Sequence, residues 1–135
     1  MTDVAAMLNA YPAHREVIDD DALVLCIQQS LACAQACDAC ADACLAASDV
    51  SHLAEAASAA RVAADVAVTN ARVLSRLTGF DAEVARTVVT ACEVACRSCF
   101  LATRRHGLEY EHCQICAEAC RRCAGACRRL LAGLT

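Results

Sequence analysis

CQICAEACRRCAGAC, residues 113–127, is the stretch that decides the fold, because its five cysteines recur at intervals of 3, 4, 3 and 4 residues. Residues three and four apart share one face of an α-helix, so this spacing predicts a helix with a continuous stripe of thiols. Two further segments, 26–44 and 92–99, repeat these helical intervals. The chain holds thirteen cysteines in the three segments: Cys26, Cys33, Cys37, Cys40, Cys44, Cys92, Cys96, Cys99, Cys113, Cys116, Cys120, Cys123 and Cys127.

Small residues surround these thiols. Alanines such as Ala34 and Ala124 flank the cysteines, whereas Asp38, Glu118 and Arg121 fall on other faces of the same helices. The thiol stripe is therefore the natural inward-facing stripe of each helix. We expect the stripes of three helices to converge on one axis and line it with sulfur.

The composition predicts a single, almost wholly helical domain. The 135 residues fit one domain, and 32 of them are alanine, against one proline and four glycines. A net charge of −4 argues against a nucleic-acid partner. The twelve basic residues are all arginine, and their pairs are expected to lie on solvated helix faces.

Short turns divide the chain into an arm and four helices. We expect an N-terminal arm over residues 1–18, where Pro12 breaks any helix, and a bundle domain over residues 19–135. Asp19, Asp20 and Asp21 are predicted to favour the start of a helix by capping and by the helix dipole, Asp81 to cap another helix, and Gly79 to end one. The four predicted helices have these approximate limits: 20–47, 52–77, 82–106 and 109–132.

Helices of similar length joined by short turns predict an all-α, antiparallel up-down-up-down four-helix bundle. The apolar residues of the arm are expected to pack on a neighbouring surface: Met7, Leu8, Tyr11, Val17 and Ile18.

The thiols can be explained in several ways. A buried cysteine packs like a small apolar residue, but thirteen in register exceed what packing needs. Disulfides between helical neighbours have poor geometry, and an odd number leaves one cysteine without an internal partner. The pattern therefore favours metal binding.

Thiolate-only sites suit Cu(I), Zn(II) and iron–sulfur clusters. Four Cys-x-x-Cys pairs, beginning at Cys37, Cys96, Cys113 and Cys120, superficially resemble zinc and ferredoxin motifs. Those motifs usually lie on loops, whereas these pairs lie within helices. Because Cu(I) accepts two or three bridging thiolates, a continuous stripe favours a string of Cu(I) ions at about one per cysteine. A zinc or mixed-metal bundle, an iron–sulfur protein and a thiol redox sensor remain alternatives.

The three stripes and the four-helix layout resemble the copper storage proteins over residues 20–132. This resemblance implies a cysteine-lined bundle that binds many Cu(I) ions, protects against copper toxicity and assembles as a tetramer. Copper ions are the expected cargo, and a copper chaperone is a candidate partner. Many equivalent thiols indicate a storage protein. The sequence shows nothing that resembles the nucleophile–base pair of an enzyme, so no enzymatic activity is predicted.

The N-terminal sequence predicts a cytoplasmic protein. MTDVAAMLNAYPAHREVIDDD lacks the basic start and the long apolar stretch of a signal peptide. No run of about 18 apolar residues predicts a membrane span. Within the resemblance, this indicates the cytosolic branch of the family.

Three histidines fall at one end of the predicted bundle. His106 continues the stripe of the third helix, and His112 lies four residues before Cys116. We expect His106 and His112 to line a polar mouth through which Cu(I) passes to the thiols. His52 is expected to be an exposed turn residue, and His14 has no predicted role.

The second predicted helix contains no cysteine, so other residues must form one wall of the thiol tube. Asp65 and Asn70 interrupt its apolar residues and are expected on a solvated face, with a position facing the tube and transient copper coordination as the alternative for either residue. Valines such as Val62 and Val68 extend its apolar surface beyond one stripe, which predicts packing against another subunit.

Overall fold

A computed structural model describes residues 2–15 and 18–134, and all the regular structure in that part of the chain is helical. A 3₁₀ turn at Ser51–Leu53 leads into one of the five α-helices. Their bounds are α1 Asp3–Asn9, α2 Asp20–Ala46, α3 Ala54–Leu74, α4 Ala82–Arg104 and α5 Glu111–Ala132.

Side-chain caps fix the starts of two long helices as predicted. The Asp19 carboxylate accepts the backbone N–H of Ala22 at 3.1 Å, at the start of α2. The Asp81 carboxylate accepts the N–H groups of Glu83 and Val84 at 2.9 and 3.2 Å, at the start of α4. Each carboxylate satisfies backbone donors that have no partner within the helix.

The turn between α3 and α4 begins earlier than predicted. α3 ends at Leu74, not near residue 77. The Ser75 hydroxyl donates to the Ala71 carbonyl at 2.7 Å and occupies an acceptor of the last turn. Gly79 adopts the predicted left-handed conformation with φ +68°, but it lies within the longer turn and is not the helix cap.

The arm contains a helix that the sequence analysis did not predict. Thr2 caps α1, which ends before Pro12, and Leu8 is buried against the bundle. Tyr11 holds the arm through a 2.7 Å hydrogen bond between its hydroxyl and that of Thr78. Met7 is 72% exposed in the single chain, so its packing on a neighbour stays a prediction. Val17 lies outside the described residues.

The four long helices form the predicted antiparallel bundle. α2 packs on α3 and α5, and α4 packs on the same two helices, so α2 and α4 face each other across the core. The rings of His52 and His106 lie 4.8 Å apart, which shows that the α2–α3 and α4–α5 turns meet at one end. The thirteen cysteines are all buried, so their predicted inward orientation is confirmed.

The two ends of the core differ in chemistry. At one end, here called the sealed end, Leu23, Leu74, Val89 and Leu130 are each at most 1% exposed. The opposite end, here called the mouth, carries the histidine-bearing turns. Large apolar side chains fill the sealed end, whereas His106 and His112 join the buried Leu53 at the mouth.

α2 is long and apolar enough, by length and composition, to cross a membrane, which the sequence analysis did not anticipate. The core helix of a soluble protein can have the same length and apolar composition. In the bundle, α2 buries its thiol face between α3 and α5.

Replacing Asp81 with alanine removes the acceptor of two N–H groups, so we expect the free energy of unfolding to fall by about 1 kcal/mol. Urea denaturation under reducing conditions measures this change. The matched control, Asp65→Ala, changes an exposed carboxylate within α3 and should stay within about 0.5 kcal/mol of the parent. Equal effects of the two substitutions would contradict the capping role.

Candidate metal centre

Sulfur atoms from α2, α4 and α5 meet in the middle of the core. Cys33 Sγ lies 3.7 Å from Cys37 Sγ, 3.7 Å from Cys96 Sγ and 3.8 Å from Cys120 Sγ. Cys37 Sγ and Cys120 Sγ are 3.5 Å apart. A disulfide needs about 2 Å, so these sulfurs are in contact without being bonded. All thirteen cysteines are free thiols.

A second group continues the column towards the mouth. The sulfurs of Cys37, Cys99, Cys116 and Cys120 all lie within 4.8 Å of one another. Cys99 and Cys116 are separated by 3.9 Å, and Cys116 and Cys37 by 3.7 Å. Because Cys37 and Cys120 also touch Cys33, the two groups are continuous.

At the sealed end the column begins with Cys26 and Cys127, whose sulfurs are 3.8 Å apart. Cys92, Cys123 and Cys127 form a group with all sulfurs within 4.8 Å. Cys123 also groups with Cys33 and Cys96. The thiols therefore form one connected array along the core.

The mouth group combines thiols with an imidazole. Cys40, Cys44, His112 and Cys113 place their ligand atoms within 4.8 Å of one another. His112 Nδ1 lies 3.4 Å from Cys40 Sγ and 3.6 Å from Cys113 Sγ. The structure thus brings His112 directly to the thiol array, half-buried at its outermost step.

His106 occupies a different position. It is 9% exposed and packs its ring edge-on against His52, beside the mouth. It is not a member of the ligand groups found among the described residues. His52 is exposed, as expected of a turn residue, and His14 is exposed in the arm.

Alanine forms the wall that lacks thiols. α3 buries Ala56, Ala60, Ala63 and Ala67 against the core, and these small side chains let the neighbouring helices approach closely. Asp65 is exposed, in agreement with the sequence analysis.

Asn70 is fully buried, so the expectation that it lies on a solvated face was wrong. Its Nδ2 donates to Ser30 Oγ at 3.0 Å and to Cys26 Sγ at 3.6 Å. Asn70 Oδ1 is buried without a hydrogen-bond partner. Position 70 shares the inward face of α3 with Ala63 and Ala67, a helical spacing that could have revealed its burial.

Ser30 is the second polar residue that the sequence analysis missed. It lies four residues after Cys26 and three before Cys33, in register with the α2 stripe. It is fully buried, and its Oγ contacts Cys123 Sγ at 3.7 Å. With Ser30 included, the intervals between Cys26 and Cys44 are 4, 3, 4, 3 and 4 residues, and this helical pattern would have identified the position.

The thiols shift one another's pKa. Hydrogen bonds, the largest from Cys120, lower the pKa of Cys33 to about 5. Hydrogen bonding with Cys120 also lowers the pKa of Cys116, whereas the same contact raises that of Cys120. A thiol that donates its proton stabilises a neighbouring thiolate and becomes harder to ionise itself. Burial raises the pKa of Cys113 to about 11 and raises that of Cys44.

Such a donor set selects soft metal ions. Sulfur ligands dominate the array, and thiolates bind Cu(I), zinc and iron–sulfur clusters in preference to hard cations. The family model "Copper storage protein" matches residues 19–132 of this chain.

The chain belongs to the copper storage protein family.

Solved structures agree with this assignment. The copper storage protein Ccsp from Streptomyces lividans, loaded with 10 copper equivalents, is 47% identical with a TM-score of 0.95, over 96% of this chain and 98% of that chain. A cytosolic copper storage protein from the same organism, with five coppers, is 49% identical with a TM-score of 0.84, over 85% and 96%. A Ccsp variant with two histidines replaced by alanine is 47% identical with a TM-score of 0.85, over 86% and 98%.

No curated protein matches the chain. The match to the family model covers all thirteen cysteines, since it spans α2 to α5. The arm and α1 lie outside that model. The family assignment therefore depends on the four-helix bundle and its thiols.

The metal-free protein should lose stability as the pH rises from about 9 to about 11. The folded pKa of Cys113, about 11, lies above the ordinary thiol pKa of 9.0, so in this window the unfolded chain releases a proton that the folded chain retains. The stabilisation is complete below pH 9 and disappears as the pH passes 11. Anaerobic urea denaturation between about pH 8 and about pH 11 measures it.

The control is Cys113→Ala, which removes this group and should make the fall in stability between about pH 9 and about pH 11 less steep than in the parent. A stability of the parent protein that stays level or increases above pH 9 would contradict the assigned direction of the shift.

Proposed function

We propose that the protein stores copper as Cu(I), bound to the thiolates of its core. The observation that carries this proposal is the connected array of thirteen buried, unpaired thiols contributed by three helices. An array of this size exceeds what one metal site needs, and it suits a soft ion that thiolates can bridge. The copper-loaded Streptomyces protein, 47% identical, supports the same function.

We assign all thirteen cysteines as ligands and His106 and His112 as residues of the entry path. His112 contacts two thiols, whereas His106 touches His52 and reaches no thiol directly. His112 therefore receives a ligand role at the mouth, and His106 a role in maintaining the polar path towards it.

Charge balance favours a monovalent cargo. Every thiol that binds Cu(I) loses a proton, and the ion restores the positive charge. At about one Cu(I) per bridging thiolate, the filled core is close to neutral, which avoids the cost of buried net charge. A divalent ion bound by four thiolates would leave two negative charges in the same apolar surroundings.

Zinc is the second candidate, because four sulfurs lie close enough to hold one tetrahedral ion: Cys37, Cys99, Cys116 and Cys120. A single zinc site would leave the remaining nine cysteines without a role. An iron–sulfur cluster or a redox-sensing thiol pair would likewise leave most of the thirteen cysteines without a role. Storage of many ions accounts for every thiol.

We infer that the protein is a store and not an enzyme. Cys40 and His112 lie at the distance of a catalytic pair, but Cys113 contacts the same nitrogen and the whole group joins the thiol array. Such a group can pass copper inward without activating a single nucleophile.

We further propose a cytosolic location, matching the cytosolic Streptomyces relative, with no nucleic-acid or membrane partner. Residues 19–135 would form the storage domain and residues 1–18 an arm. A homotetramer is proposed from the family resemblance, with Val68 of α3, which is 37% exposed, as part of a subunit contact. A copper chaperone is the proposed source of copper.

Reduced protein should take up about one Cu(I) per cysteine in an anaerobic titration against a chromogenic Cu(I) chelator. Ser30→Cys completes the α2 stripe and should add about one chelator-resistant Cu(I). The matched control, Ser98→Cys, adds an exposed thiol on α4 and should add none. Saturation of the parent at one or two ions, or tight binding of zinc in preference to Cu(I), would reject the storage proposal.

His106→Ala combined with His112→Ala should slow Cu(I) uptake by about tenfold while leaving the capacity set by the thiols unchanged. Stopped-flow mixing with a weakly chelated Cu(I) donor measures the rate. His14→Ala, in the exposed arm, is the control and should load like the parent. Identical rates for the parent and the double variant would remove the histidines from the entry path.

A further inference from the structure

An acidic groove lies beside the mouth, on the outer side of α2 and α3. It has a volume of about 680 Å³, and its rim carries Asp38, Asp42 and Asp65 with the single cation Arg61. Cys44 contributes to its lining. The groove is much larger than a metal ion, so its dimensions suit part of another molecule.

Arg61 offsets only one of the three negative charges that line this groove. α2 carries four aspartates and no basic residue along its 27 residues. Asp38, Asp42 and Asp65 are exposed, and the ion pairs of the described residues do not include them. By contrast, α5 carries four arginines. The α2 side therefore attracts a positively charged surface.

The groove also combines exposed apolar area with a thiol. Leu45 is 68% exposed and Val50 is 41% exposed along its edge. Cys44 is only 1% exposed and belongs to the mouth group with Cys40, His112 and Cys113. Apolar contacts surrounded by charge are typical of protein–protein interfaces. The groove thus connects such a surface to the outermost thiols of the store.

We propose that this groove is the docking site of a copper carrier protein that holds Cu(I) between two thiolates on a cationic surface, with Cys44 as the first acceptor. The inference rests on the proposed storage function and adds where copper is delivered. Docking at the acidic rim places the carrier's ion next to Cys44, and Cys40 and His112 are then close enough to accept the ion in turn.

The transfer is a ligand exchange with no change of oxidation state. The Cys44 sulfur forms a bond to Cu(I) while one bond between Cu(I) and a carrier thiolate breaks. The proton of the Cys44 thiol passes to the released carrier thiolate. Repeating the exchange at Cys40 frees the second carrier thiolate and leaves Cu(I) in the mouth group, so atoms and charge balance at each step.

The probes are two synthetic peptides that each hold Cu(I) through one Cys-x-x-Cys pair, flanked by four lysines in one and by four glutamates in the other. At low salt, the wild-type protein should accept Cu(I) from the lysine peptide about tenfold faster than from the glutamate peptide. Added salt should reduce this ratio, since screening weakens attraction between exposed charges.

The test variant combines Asp38→Asn, Asp42→Asn and Asp65→Asn, which should bring the two peptide rates within about twofold. The control removes three acidic charges elsewhere, by Asp3→Asn, Asp21→Asn and Glu83→Gln, and should keep most of the tenfold ratio. A small, uncharged Cu(I) complex should load the parent and both variants equally, which shows that the store itself is intact.

The docking proposal would be overturned if the parent accepted Cu(I) from both peptides at equal rates, or if the groove variant kept the parent's ratio of rates. In either case, normal uptake from the small complex would leave the storage function standing. Failure of all proteins to take up Cu(I) from the small complex would instead reject the storage function. Sedimentation should give the same oligomeric state for the parent and the groove variant. Dissociation of the groove variant alone would show that a second copy covers the groove, and would also overturn the proposal.

Discussion

The close approach of sulfur atoms from three helices is the constraint on which the rest of this structure depends. Sulfurs such as Cys37 and Cys120 lie 3.5 Å apart across helices. Such contacts need helices that approach closely and side chains that repeat at helical spacing. Alanines along α3 and between the cysteines provide the first condition, and the three- and four-residue intervals provide the second.

Burial of the thirteen ionisable thiols would be costly if many of them lost their protons without compensation. Protons shared through hydrogen bonds lower the pKa of Cys33 and raise that of Cys120, so the thiols do not ionise independently of one another. Cu(I) would replace those protons one for one, so the core can fill without accumulating charge. This exchange of protons for Cu(I) would connect the metal-free protein with its proposed loaded state. Because neither state would carry a large buried charge, the thiol array can lie next to the apolar sealed end in one core.

The core is asymmetric along its axis and around it. Leucines close one end, whereas His112, the last thiols of α2 and the first thiol of α5 reach the other. Around the axis, α3 contributes methyl groups and Asn70 in place of thiols. The amide donates to Cys26 and Ser30, so the sealed end has an amide N–H donor beside its thiols.

The sequence by itself determined the helical class, the bundle, the inward thiol stripes and the caps at Asp19 and Asp81, because these features depend on residues close along the chain. It did not determine which α3 residues are buried, so Asn70 was misplaced, nor that α1 forms and packs through Leu8. Tertiary structure alone decided that His112 reaches two thiols while His106 does not, and that Cys44 lines an acidic groove. Those outcomes depend on how helices distant in sequence are rotated and spaced, and local periodicity leaves both free.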